Sequence, residues 1–198
     1  MSVSMSHNRY PGASGGCGLA AVQLAKGLGA SEIVGVCSRR NHDLVLKAGA
    51  TRCVDYTDPN AFTAMVEKDR FDVIYDSATG ADKQTNYWPE AAKMLRNKRS
   101  RHVSSSGTYW QWFKTIFGLS GKQKVIFMDL SKVAIDLEEI CRLLGGTIDT
   151  NIEMVALLTA DGLAAALEKI RSRRARGKVV FSMEEENPAV VTVSHQLS

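Results

Sequence analysis

The string GASGGCG, Gly12 to Gly18, restricts the folds open to this chain more than any other segment. Gly12, Gly15 and Gly18 recur at intervals of three, directly before a run in which Ala21, Val22, Ala25 and Leu28 have helical spacing and Gly29 supplies a left-handed stop. A glycine loop that opens a helix turns tightly, lets backbone approach a phosphate and aims amides from the positive helix end at an anion. By itself the string is weak, because a flexible turn has the same composition. Two further signs are needed: a strand leading into the loop and a discriminating residue about 20 residues on. At that distance past Gly18 the chain reads CSRRN, Cys37 to Asn41, at the end of an apolar run. No acid stands there. A carboxylate would accept from ribose hydroxyls and repel a 2′-phosphate, whereas Ser38, Arg39 and Arg40 offer a hydroxyl and guanidinium forks suited to phosphate. The spacing therefore favours NADP over NAD; the alternative is that both arginines belong to an ordinary solvated loop.

Hydrophobic patterning supplies the rest of the frame. A helix is expected over Gly18–Leu28, and Glu32–Cys37 (EIVGVC) is a β-branched run of the kind buried on both faces of a parallel sheet. Helix follows at Asn41–Ala48, a short apolar step at Cys53 and Val54, helix at Ala61–Glu67, and a strand at Phe71–Ser77. Glu90–Leu95 reads as helix, Arg101–Ser105 as a strand, and Asp136–Leu144 as helix. Strand and helix in alternation predict an α/β fold, a doubly wound parallel sheet of the Rossmann type. Residues 12–183 form the expected dinucleotide-binding domain, preceded by a poorly defined N-terminus (1–11) and followed by a tail (184–198).

With 198 residues, 44% of them hydrophobic, the chain can bury a core, and no apolar stretch approaches the roughly 18 residues of a membrane span. The polar start carries no signal-peptide pattern, so a soluble intracellular protein is expected. Cys17, Cys37, Cys53 and Cys141 stand singly and read as reduced thiols in or near the core. No metal site is expected: His7, His42, His102 and His195 lack partner spacing. The net charge of +4 comes mostly from Lys93, Arg96, Lys98, Arg99 and Arg101, and from Arg171, Arg173, Arg174, Arg176 and Lys178. These clusters read as the cationic ends of helices rather than a nucleic-acid patch, since no nucleic-acid motif accompanies them. Tyr109–Leu119 places Trp110, Phe113 and Phe117 on one helical face. It reads as an amphipathic helix folded over the substrate side or onto its own domain, with membrane contact or a partner surface as the alternative.

Five strings, GASGGCGLAAVQLAKGLGA, VCSRRNHDLVLKAGATRCVDYTD, FDVIYDSATG, RHVSSSG and RARGKVV, stand in order from Gly12 to about Met183. They resemble successive blocks of the medium-chain dehydrogenase/reductase family, above all its zinc-free quinone reductases and reticulon-4-interacting protein relatives. The resemblance implies that the loop Gly12, Ser14, Gly15, Gly16, Cys17 and Gly18 holds a pyrophosphate. It implies that Ser38, Arg39 and Tyr56 surround the 2′-phosphate of NADPH, and that Gly107, Ala175 and Arg176 lie near the nicotinamide. The implied reaction is hydride transfer from NADPH to a small-molecule acceptor, a quinone, enone or similar carbonyl compound. A homodimer and either a cytoplasmic or a mitochondrial location are compatible with it.

Two departures stand out. Family members carry a GroES-like catalytic domain before the glycine loop, and here eleven residues precede Gly12. The substrate pocket is therefore expected to be largely absent, and no catalytic residue is assigned; Tyr75, Asp76 and Tyr109 read as packing residues. The family's leading strand is an apolar run, but this chain reads SHNRYPGA, and Pro11 cannot donate to a central ladder. The first strand is thus expected to be degraded, with Val3 and Met5 as a frayed substitute. Two rivals to an enzyme follow: a non-catalytic NADPH-binding or interaction module, and a nonfunctional fragment in which KVVF, Lys178–Phe181, lacks the catalytic domain's sheet as its partner.

Overall fold

A computed structural model of the chain describes residues 12–77, 88–104, 108–125, 131–145, 149–172 and 174–183, together with the backbone of 2–5. Eight strands are formed there: β1 (Ser2–Met5), β2 (Glu32–Val36), β3 (Arg52–Val54), β4 (Val73–Asp76), β5 (Arg101–Ser104), β6 (Gln123–Val125), β7 (Ile152–Leu157) and β8 (Lys178–Ser182). The first six make one parallel sheet in the order β3-β2-β1-β4-β5-β6. Its helices are α1 (Gly16–Gly27), α2 (His42–Lys47), α3 (Pro59–Lys68), α4 (Trp88–Met94), α5 (Tyr109–Ile116) and α6 (Val133–Leu143). This is the expected doubly wound arrangement.

The sheet is buried on both faces because its strands carry apolar residues at successive positions. In β2, Ile33 joins Leu19, Val22 and Ala25 of α1 and Val45 of α2, while Val34 and Val36 turn to Met65 of α3 and Ala91 and Met94 of α4. Arg52 clasps the outer edge, 3.3 Å from Glu32 and 2.5 Å from Asp69. Asp58 caps α3 by accepting from the amides of Asn60 and Ala61, the local reason that helix starts at Pro59.

The central position is filled. Ser2–Met5 pairs in parallel with both β2 (Val3↔Ile33, Met5↔Gly35) and β4 (Val3↔Val73, Met5↔Tyr75). The strand is short and ends at Met5, seven residues before Gly12, so the expected degradation of the first strand takes the form of a shortened strand that still occupies the centre of the sheet. The substitute around Val3 and Met5 is the one the sheet uses. Parallel strands on both sides give this backbone a partner whatever its side chains, which is why two serines are tolerated at the centre.

Three elements carry no clear sequence signal: β6, β7 and α7 (Ala160–Arg171). β7 and β8 form a separate parallel pair, with Val155, Phe181 and Met183 exposed. α5 is a well-capped helix, with Thr108 and Gln111 bonded reciprocally, yet none of its residues is buried. Trp110 stacks on Phe113 at 5.3 Å and Phe113 meets Phe117 at 4.5 Å, so the apolar face packs on itself; among the described residues α5 contacts its own domain through β6. Among the thiols, Cys37 is buried but Cys17 and Cys141 are exposed, against the expectation for them. No helix among the described residues is long and apolar enough to cross a membrane.

A proline in the central ladder tests the place of β1. Ser4→Pro should lower stability to urea by at least about 2 kcal/mol, because a buried ladder group loses its partner. Unchanged unfolding would show that Ser2–Met5 does not hold the middle of the sheet.

Candidate functional site

The glycine loop crosses the carboxyl ends of β2 and β4, the point where the chain order of the sheet reverses. The Ala13 amide donates to the Val36 carbonyl at 3.3 Å, and the Ser77 hydroxyl donates to the Gly12 carbonyl at 3.4 Å. Gly18 is needed for packing: a Cβ there would stand 1.9 Å from the Gly12 oxygen and 2.7 Å from the Ala13 Cα. At Gly16 the nearest atoms would be 3.5 Å away, an ordinary contact. α1 starts after Gly15, which is extended and gives no side-chain cap, and its first turn holds no acid. Its leading amides and positive end therefore face the crevice without a side-chain competitor.

The second part of the site follows β2. Ser38 is half-buried, Arg39 and Arg40 are exposed in a turn of 3-10 helix ending at Asn41, and Asn41 donates to the Ser14 hydroxyl at 2.9 Å. Thus the turn that carries the arginines is bonded to the glycine loop. An acid does stand nearby, Asp55. Partial burial works against its ionised form, but hydrogen bonds from the Thr57 hydroxyl and amide (2.7 and 2.8 Å) and from the Arg39 amide hold its carboxyl below the usual range. Its lone pairs are thereby committed to the turn. Burial pushes the Tyr56 phenol up, while the charges of Arg40 and Arg174 act in the opposite direction. Arg174 stands beyond the end of α7 at Arg171 rather than in its last turn, and its charge is the smallest of the influences on Tyr56. The first basic cluster does behave as expected in part, with Lys93 in the last turn of α4 and Arg101 donating to the Lys98 and Ser100 carbonyls. Beneath the turn, the Cys37 thiol is pushed up by its hydrogen bond to Cys53 and by burial, and the same bond lowers Cys53.

The RARGK turn forms the third part. Asn151 donates to the Arg176 carbonyl and accepts from the Lys178 amide at 2.8 Å; Gly177, at φ 111°, leaves room for the Asn151 carbonyl, which a Cβ would meet at 2.0 Å. Gln23 of α1 holds Asp149 by two bonds of 2.8 and 2.9 Å, so this turn is seated against the start of α1 beside Gly16. Ala175 is half-buried and Arg176 exposed. Gly107 lies outside the described residues.

No acid–base group converges on the crevice among the described residues. The Tyr75 phenol is pushed up by burial and packs against the α1-side core. Asp76 is buried 3.7 Å from His102 Nε2, itself edge-on to Trp88, and Tyr109 is 97% exposed. Nor, among the described residues, do three or more His, Cys, Asp or Glu gather where they would hold a metal ion.

A family model described as zinc-binding dehydrogenase matches residues 16–102, the span from α1 to β5. A trans-enoyl reductase from Aspergillus terreus, pgmF, is 27% identical over 88% of this chain and 51% of its own length. Reticulon-4-interacting protein 1, mitochondrial, of Caenorhabditis elegans is 37% identical over 40% of this chain and 20% of its own. The quinone oxidoreductase of Escherichia coli, solved complexed with NADPH, superposes with a TM-score of 0.61 at 22% identity, covering 91% of this chain and 56% of that one. Over residues 16–102 the chain is thus similar to the zinc-binding dehydrogenases, and its fold is that of the solved quinone oxidoreductases. It spans about half the length of the curated trans-enoyl reductase that it matches. The quinone oxidoreductase of Coxiella burnetii shares this fold with a TM-score of 0.68 at 20% identity, over 92% of this chain and 53% of that one.

The two glycines of the loop should respond differently to a methyl group. Gly18→Ala should destabilise the fold by about 1–3 kcal/mol through backbone overlap, whereas Gly16→Ala should be tolerated. Equal unfolding midpoints in urea would contradict the close approach at Gly18.

Proposed function

We propose that this chain binds NADPH and forms the cofactor-holding part of an oxidoreductase that reduces a quinone, enone or similar carbonyl acceptor. The observation that carries the reading is the sequence of three surfaces along one crevice. Amides of the Gly12–Gly18 loop and of the first turn of α1 hold the pyrophosphate. Ser38, Arg39 and Tyr56 receive the 2′-phosphate, with Arg40 and Arg174 adding positive charge there. Ala175 and Arg176 flank the nicotinamide end. Gly18 supports the fit, since it keeps the loop flat on α1 where a side chain would lift it.

NADPH supplies the hydride when bound; this chain's residues bind and orient it. The acceptor's orienting groups are expected outside the residues described, because all three candidates are occupied in the interior, Tyr75 in the α1-side core and Asp76 and His102 buried side by side. That occupation also favours a second reading, a non-catalytic NADPH-binding module. A homodimer and a cytoplasmic or mitochondrial location belong to the same proposal.

Calorimetry should give NADPH an affinity at least tenfold above NADH. A charge-assisted contact contributes about 1.5–3 kcal/mol, and each 1.4 kcal/mol is tenfold. Arg39→Asp should reverse the preference, and equal affinities for the wild-type chain would contradict the assignment. Turnover separates the two readings. Little quinone reduction is expected from the chain alone, because positioning of the acceptor supplies roughly 7–11 kcal/mol of barrier lowering. Robust turnover would overturn the module reading.

A further inference from the structure

The structure assigns Asn41 as a positioning residue that aims the pyrophosphate loop, an inference resting on the NADPH reading above. Its side chain is 1% exposed and donates through Nδ2 to the Oγ of Ser14, itself fully buried, at 2.9 Å. The two residues lie 27 positions apart and belong to different parts of the site. Ser14 is in the glycine loop; Asn41 closes the turn of Arg39 and Arg40, its amide donating to the Ser38 carbonyl at 2.8 Å. No side chain caps α1, so this bond is the side-chain tie that the loop makes to the arginine turn among the described residues.

The pair is a poor device for stability. Asn41 Oδ1 is buried with no hydrogen-bond partner, and turning the amide over would only exchange the orphaned oxygen for an orphaned nitrogen. An apolar side chain of the same shape would avoid that penalty. Asparagine also does not serve its own helix: it stands at the N-cap of α2 without making a cap bond. What the bond does accomplish is geometric. It fixes Ser14 one residue before Gly15, the extended residue from which the leading amides of α1 set out. Loss of the tie leaves the loop free to turn those amides away from a phosphate, and leaves Ser38–Arg40 in place.

This separates two kinds of ligand. Dinucleotides carrying a pyrophosphate depend on the loop, whereas adenosine 2′-monophosphate depends on the arginine turn alone. Asn41→Leu keeps the bulk and removes both the tie and the orphaned oxygen; Ser14→Ala removes the same bond from its other end. For each variant, calorimetry with NADPH, NADH and adenosine 2′-monophosphate and a melt of the free protein are compared with wild type. Both variants should weaken NADPH and NADH by a common factor of about ten, and the double variant should add less than twofold to either. Adenosine 2′-monophosphate should stay within twofold, and melting of the Asn41→Leu protein should fall by no more than about 2 °C. Unaltered dinucleotide affinity in both variants would overturn the assignment. So would a parallel loss of adenosine 2′-monophosphate binding and of thermal stability, which marks a merely structural residue. Equal affinities of wild type for NADPH and NADH would sink the 2′-phosphate reading but support this one if both fall together in the variants. Binding of neither dinucleotide by wild type would overturn both.

Discussion

Everything in the site depends on how closely α1 lies under the strand-to-helix loop. The space at Gly18 is too small for a methyl group, with the Gly12 carbonyl 1.9 Å from where one would sit. That approach brings the positive end of α1 to the carboxyl edge of the sheet, and it brings the RARGK turn with it through Gln23 and Asp149. Close contact between backbones is a steric requirement and cannot be relieved by rotamer changes. The geometry of the loop is therefore a consequence of packing rather than of any charged residue in it.

The second dependence is on a very short strand. Four residues, Ser2–Met5, separate β2 from β4, and both neighbours contribute to buried clusters on the two faces of the sheet. Backbone pairing on both sides ties it into the sheet. Beyond β1, the Ala13 amide joins the Val36 carbonyl, so the glycine loop is tied to the same strand that β1 pairs with. Loop and strand thus share β2 as their common support, and the arginine turn continues directly from it.

Local periodicity made most of the frame legible. β2, β4 and the helices α1 to α6 follow from apolar spacing, and the glycine string with CSRRN twenty residues later pointed to two of the three surfaces of the candidate site, which the Asn41–Ser14 bond brings together. What was not legible has identifiable physical causes. SVSM offers only two apolar residues and stands apart from Gly12, so its place in the sheet is decided by its neighbours. Arg174 sits in a run of basic residues where composition cannot distinguish the last turn of a helix from the chain just past it. Asn41 acts through a single bond across 27 residues, which leaves no periodic trace. The exposed face of α5 has an amphipathic pattern that reports an apolar stripe but not what it meets.

The central claim is that one ligand spans loop, arginine turn and RARGK turn together, and amide hydrogen exchange with and without NADPH examines all three at once. Binding should slow exchange at 15–19, at 38–41 and at 174–178, while 109–116 in α5 exchanges as before. Slowing confined to α5, or no slowing at the glycine loop and the arginine turn under saturating NADPH, would contradict the account.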